Sequence, residues 1–161
     1  MSQPVHPSPD PAQASHALRV WFRLLRLQTR LNVAMAERLR VIGISVPQCD
    51  VLTTLTEQEG LSQQDLAKRL YVTKGNISGL IDRLETAGFV ERRALAEDRR
   101  SHAIFLTPEG RKKALEGIGI QQDYVAATLG QLAPAEIQDL ERLLVKTRDL
   151  IRLETERKGT A

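Results

Sequence analysis

Between Leu61 and Thr107 the chain reads LSQQDLAKRLYVTKGNISGLIDRLETAGFVERRALAEDRRSHAIFLT. Two short segments come first, each with apolar residues at helical spacing. Leu66, Ala67 and Leu70 mark the first, and Ile77, Leu80, Ile81 and Leu84 form an i, i+3, i+4, i+7 set in the second. Ser62 is placed to cap a helix over Gln63 to Leu70. Thr73 is placed to cap a helix over Lys74 to Ala87, with Tyr71-Val72-Thr73 as the turn and Gly88 as the stop. Strand-like runs at Phe89–Arg93 and Ser101–Leu106 flank a charged loop, Leu95 to Arg100. This order predicts a winged helix-turn-helix. It constrains the fold to a mostly α protein with a small β-hairpin wing.

The flanks read as long helices. From Ala12 to about Ile42, Leu18, Trp21, Leu25, Leu31, Met35, Leu39 and Ile42 keep near-helical spacing, and Gly43 is a natural stop. Ser45-Val46-Pro47-Gln48 has the composition of a capping box with proline in the first turn, opening a helix to about Gln58 with Val51, Leu52 and Leu55 inward. Thr107-Pro108-Glu109 starts a fifth helix, weakened by Gly117 and Gly119, to about Leu129. Pro134 opens a sixth to about Leu153, with a stripe of Ile137, Leu140, Leu144, Thr147 and Ile151. The expected organisation is a disordered tail over residues 1–11, an N-terminal dimerisation helix over 12–42 and a DNA-binding lobe over 43–110. C-terminal dimerisation helices over 111–155 and a tail over 156–161 complete it. The central module is too small to cover both terminal stripes, so packing against a second copy is expected.

A recognition helix needs a buried face to hold it and a small or polar face to enter the major groove. With Ile77, Leu80, Ile81 and Leu84 inward, the other face carries Lys74, Gly75, Asn76, Ser78, Gly79 and Arg83. Each helical glycine costs about 1 kcal/mol relative to alanine, and their place on this face suits close backbone approach to DNA. Ser62, Gln63 and Thr73 stand at helix starts, where free N–H groups favour phosphate. In the loop, Asp98-Arg99-Arg100 puts arginine at a hairpin tip, suited to a narrow minor groove, with Asp98 able to hold a neighbouring arginine. The formal charge of +3 is compatible with an anionic partner.

Taken together, GISVPQCDVLTTL, LSQQDLAKRL, TKGNISGLIDRLETAGFVER, the Asp98-Arg99-Arg100 wing and IFLTPEG resemble the multiple antibiotic resistance regulator (MarR) family of bacterial transcription factors. The resemblance covers about Leu31 to Gly110 in detail, and the flanking helices agree in length and order. It implies a homodimer joined through the first, fifth and sixth helices, binding a palindromic operator in double-stranded DNA. It further implies repression of nearby genes and release by a small, often aromatic or anionic, effector. Carried onto this sequence, the recognition helix is Thr73 to Ala87 and the minor-groove arginine Arg100, with Arg99 as a second candidate.

Arg19, Arg23, Arg26 and Arg30 are spaced 4, 3 and 4 on one face of the first helix, with His16 just before them and Trp21 on another side. They are candidates for an effector's carboxylate, with Trp21 as an aromatic wall. Cys49 is the only cysteine and is expected to be half-buried and structural, with redox sensing as the alternative. His6, His16 and His102 are too scattered for a metal site. No cofactor is expected, no catalytic constellation points to an enzyme, and no apolar run spans a bilayer. A cytoplasmic location is expected. The alternative to DNA binding is a winged-helix module that binds proteins.

Overall fold

The computed structural model describes residues 10–94 and 102–159. The chain divides between Ile118 and Gly119 into two compact units. In the first, α1 (Pro11–Leu39) ends in a 3-10 turn at Arg40–Ile42 and is followed by α2 (Val46–Glu57), β1 (Leu61–Ser62), α3 (Gln63–Arg69) and α4 (Lys74–Thr86). β2 (Val90–Ala94), β3 (His102–Leu106) and the start of α5 (Pro108–Ala127) complete it. The second unit holds the end of α5, a 3-10 turn at Leu129–Gln131 and α6 (Pro134–Gly159). The fold is mostly α, with a small antiparallel sheet in a winged helix-turn-helix.

Local chemistry sets these boundaries. Gly43 takes φ +74° and closes the 3-10 turn, its N–H donating to Arg40 O at 3.1 Å. Ser45 and Gln48 form the full capping box: Gln48 N–H donates to Ser45 Oγ at 3.4 Å, and Ser45 N–H to Gln48 Oε1 at 2.9 Å. Ser62 Oγ accepts from Asp65 N–H at 3.1 Å, and Thr73 Oγ1 from Asn76 N–H at 3.3 Å. Gly88, at φ +74°, ends α4 and turns the chain so that Phe89 N–H reaches Leu84 O at 2.9 Å.

The structure corrects several boundaries. The last turn before Gly43 tightens to 3-10 geometry, so α1 stops at Leu39 and does not reach Ile42. α5 ends at Ala127, and Leu129 falls in the next 3-10 turn. α6 runs beyond Leu153 to Gly159, carried by helix formers and an i, i+4 contact between Arg152 and Glu156 at 3.7 Å. The first wing strand is Val90–Ala94, one residue later than expected, and Ser101 lies outside the described residues. β1 was not expected. It pairs with β3 through Leu61↔Ile104 and Ser62↔Ala103, making the sheet three-stranded in the order β1-β3-β2.

The core lies in the first unit, where Leu52 and Leu55 of α2, Leu66 of α3, Ile77, Ile81 and Leu84 of α4 and Ile104 of β3 are fully buried. Thr107 joins the sheet to α5. Its Oγ1 donates to Gly88 O at 2.6 Å and accepts from Gly110 N–H at 3.0 Å. Gly110 then sits so tightly that a Cβ there would lie 1.7 Å from Phe89 O. By contrast, nothing in α1 before Leu39 is buried, and the described residues of the second unit include no buried side chain. Leu18, Trp21 and Leu27 of α1 and Leu144, Leu150 and Ile151 of α6 are all exposed.

Because a methyl at position 110 meets backbone rather than a movable side chain, Gly110→Ala is expected to lower stability by about 3 kcal/mol, the upper part of the usual overpacking range. Urea unfolding followed by circular dichroism measures it, and a change below 0.5 kcal/mol, roughly that of a neutral surface substitution, contradicts the contact.

Candidate nucleic-acid interface

Four apolar side chains, Ile77, Leu80, Ile81 and Leu84, anchor α4 in the core. The opposite side is open. Lys74, Gly75, Asn76 and Arg83 are exposed, while Ser78 and Gly79 are half-buried. Pro47, Val72, Gly75, Asn76, Gly79, Leu80 and Arg83 line a groove of about 340 Å³. A Cβ on Gly75 would meet nothing within 4 Å, and one on Gly79 would meet only the Arg83 guanidinium, at 3.6 Å. Packing inside the chain therefore requires neither glycine. Thr73 is exposed at the cap. Ser62 and Gln63 are half-buried and already engaged: Ser62 Oγ donates to Asp65 Oδ2 at 2.7 Å while accepting the cap bond.

Gln63 is engaged by a residue that the sequence reading did not single out. The register Val90↔Leu106 and Arg92↔Ile104 puts Arg92 on the sheet face that carries the buried Val90, Ile104 and Leu106. Its guanidinium, with the side chain 21% exposed, ion-pairs with both Asp82 and Glu85 of α4. The Arg92 N–H also donates to Glu85 Oε1 at 3.3 Å. With its amide oxygen turned toward the guanidinium, Gln63 accepts from Arg92 Nε at 3.1 Å and Nη2 at 3.0 Å. Arg92 thus joins the wing strand to both helices of the helix-turn-helix. The signal was available, since an inward Val90 implies an inward residue at 92. On the other sheet face the Arg93 guanidinium stacks over Phe105, 4.4 Å from the ring centroid, and pairs with Glu91. Asp98, Arg99 and Arg100 lie outside the described residues.

The arginines of α1 share one face, as their spacing requires. Arg23, Arg26 and Arg30, with Leu27, line a recess of about 200 Å³. Arg19 does not line it. Its Nη1 donates to Ser15 Oγ at 3.1 Å, and its Nη2 lies 3.4 Å from His16 Nδ1. Trp21 is 51% exposed and does not line the recess either.

The MarR family profile matches residues 44–102, which hold α2, the helix-turn-helix and the start of β3. YfiV, an uncharacterised HTH-type transcriptional regulator of Bacillus subtilis (strain 168), is 32% identical over 105 residues, 65% of each chain. This chain therefore spans just under two thirds of that relative's length. The S. aureus MepR–DNA complex superposes with a TM-score of 0.75 at 25% identity, over 80% of this chain and 95% of that one. CouR from Rhodococcus jostii RHA1, solved bound to p-coumaroyl-CoA, superposes with a TM-score of 0.71 at 26% identity, over 78% and 88%. Residues 44–102 are thus similar to the MarR family. The chain's relatives are transcriptional regulators, not enzymes.

Cys49 is fully buried, not half-buried. A Cβ on Gly117 of α5 would lie 2.7 Å from Cys49 Sγ, so this glycine makes room for the thiol. Burial, and secondarily the Asp50 charge, push the thiol up to about 11. A sensing cysteine needs the reverse, an accessible thiolate, so the packing favours the structural reading. Burial also raises the Asp50 carboxyl. Among the described residues no group of three or more His, Cys, Asp and Glu side chains is placed to hold a metal, and no helix is long and apolar enough to cross a membrane.

Two outcomes follow from these contacts. The folded thiol ionises near 11 and the unfolded one near 9.0, so its contribution to stability is complete below pH 9 and falls as pH rises from 9 toward 11. Cys49→Ala should flatten that part of the stability–pH curve, and identical slopes in the two proteins rule the linkage out. Arg92→Ala should lower stability by about 1–2 kcal/mol, discounted for the partial exposure of Asp82 and Glu85. It should also weaken DNA binding although Arg92 is held by α3 and α4. Unchanged DNA affinity would show that the clamp does not set the reading geometry.

Proposed function

We propose that this chain is a homodimeric, sequence-specific DNA-binding regulator that represses nearby genes and is released by a small anionic or aromatic effector. The observation that carries this reading is the outer face of α4, where Lys74, Asn76 and Arg83 stand exposed beside Gly75, with open space above it, and Gly79, with only the Arg83 guanidinium near it. A surface built to bind protein would present apolar side chains there. A small, polar, basic surface suits base edges and phosphates. Asn76 and Ser78 serve as base readers, Lys74 and Arg83 as phosphate contacts, and the Asp98–Arg100 loop as the minor-groove element. MepR in its DNA complex and CouR with its bound thioester supply precedents among proteins of this fold.

Dimerisation rests on the terminal helices. Burial of apolar area is worth roughly 25 cal/mol per Å², and both α1 and α6 leave large side chains exposed along their length. Residues 12–42 and 111–155 would supply the interface, and residues 43–110 the reading lobe. A two-fold dimer presents two copies of α4 to half-sites about 34 Å apart along the duplex. Such a dimer would act in the cytoplasm, where occupancy of a promoter excludes polymerase.

Binding to duplex DNA from the region upstream of its own gene should weaken steeply as salt rises, because each neutralised phosphate releases counterions. Asn76→Ala should relax preference at particular base pairs by about 1–3 kcal/mol, whereas Arg100→Ala should weaken binding to most sequences. Fluorescence anisotropy across an operator library separates the two. Absence of duplex binding at low salt would favour the protein-binding module, and equal losses for both variants on every sequence would remove Asn76 as a base reader.

A further inference from the structure

The arginine row of α1 lies on a different helix from the outer face of α4, and among the described residues its one polar contact to side chains is that of Arg19 with Ser15 and His16. From Pro11 to Ala36 the helix contains no Asp or Glu. Arg19, Arg23, Arg26 and Arg30 therefore face one another unrelieved at i, i+3 and i, i+4, an arrangement that destabilises a helix. None of the four makes an ion pair among the described residues. On α6, by contrast, Arg142 pairs with Asp139, Arg148 with Asp149 and Arg152 with Glu156. A solubilising face has the mixed character of α6. The single-sign row on α1 calls for an anion from outside.

Geometry narrows the anion. At 1.5 Å per residue the row runs for about 16 Å along an arc of about 60°. One carboxylate satisfies one guanidinium fork, which leaves most of such a row unused. A chain of phosphates presents several acceptor groups over that length, and the arginine fork matches each of them. The recess of about 200 Å³ between Arg23, Arg26, Leu27 and Arg30 is smaller than the roughly 300–1,000 Å³ that encloses a drug-sized ligand. It suits a headgroup lying along the helix, with Leu27 beside the ligand's organic part, better than an aromatic acid buried against Trp21.

We propose that Arg19, Arg23, Arg26 and Arg30 form a binding site for a ligand carrying two or more linked phosphates, either an organic phosphate ester or inorganic polyphosphate. As a statement about the effector it rests on the regulatory reading above. The binding itself is tested separately.

The full-length protein is titrated with tripolyphosphate, ATP, coenzyme A and benzoate by calorimetry at low and moderate salt. The expected result is salt-dependent binding of the three phosphate ligands, little binding of benzoate, and a loss of tenfold or more in Arg26→Gln/Arg30→Gln. A smaller loss is expected in Arg26→Lys/Arg30→Lys, which keeps the charge and removes the fork. Tighter binding of coenzyme A or ATP than of tripolyphosphate identifies an organic ester as the ligand, and the reverse order identifies polyphosphate. Circular dichroism checks that the variants keep their helices. Three results overturn the proposal: no phosphate binding at low salt, equal binding by wild type and both arginine variants, or a loss that appears instead in Lys74→Gln/Arg83→Gln. A further contrary result is a changed dimer dissociation constant in Arg26→Gln/Arg30→Gln without ligand binding, which would make the row a charged seam between two copies. Failure of the wild type to bind operator DNA would sink the regulatory reading and leave the phosphate titration to judge this one.

Discussion

A cation on the inward face of a strand must find anions or leave the core. Arg92 is such a cation, and the relation between the wing and the helix-turn-helix depends on how it is satisfied. Strand alternation forces it inward beside Val90 and Ile104. Asp82 and Glu85, three apart on α4, form the receptor, and Gln63 at the start of α3 closes it. Apolar packing alone would hold α4 against the core while allowing it to slide, because hydrophobic contact is not directional. A guanidinium fork bound by three groups permits only one rotation and one height. The same guanidinium lies on the strand that leads into the wing loop, so the helix and the wing are referred to one point.

A second anchor acts at the other end of the sheet. Glu59 Oε1, between α2 and β1, accepts from Leu106 N–H at 3.2 Å and from Arg111 Nη2 at 2.8 Å. It ties the outgoing strand to the first turn of α5, and Gly110 brings that turn against Phe89. The first turn of α5 is therefore fixed against the sheet by backbone contact and one carboxylate.

What was legible in the sequence was whatever depends on near neighbours. The Ser45–Gln48 box, the Thr73 cap, the stops at Gly43 and Gly88 and the inward face of α4 each follow from a few adjacent residues, and the structure shows each of them. What was illegible depends on distant partners. β1 is two residues long, too short to show a period, and exists because β3 passes beside it. Gly117 reads as a helix weakness until Cys49 is found against it, and the same contact turns a cysteine expected to be half-buried into a buried one. The pairing of Arg92 with Asp82 and Glu85 needs both the strand register and the helix phase. Either is readable alone, but their meeting is a tertiary fact.

The costs that remain unexplained by folding are unevenly placed. Gly110 and Gly117 are required by contacts inside the chain, whereas Gly75 and Gly79 are not, and each of the latter weakens α4 by about 1 kcal/mol relative to alanine. Three residues before α4, Tyr71 holds φ +53° in a turn where glycine is the unstrained choice, and its side chain is 91% exposed. A sequence shaped only for stability would place alanine at 75 and 79 and glycine at 71. All three departures fall on the open surface of the helix-turn-helix, while the buried side of the same helices keeps to good packing. The strain at Tyr71 and the weakness at Gly75 and Gly79 fit a surface shaped by an external partner, while Gly119 of α5, also with nothing within 4 Å, is a weakness of the same kind elsewhere.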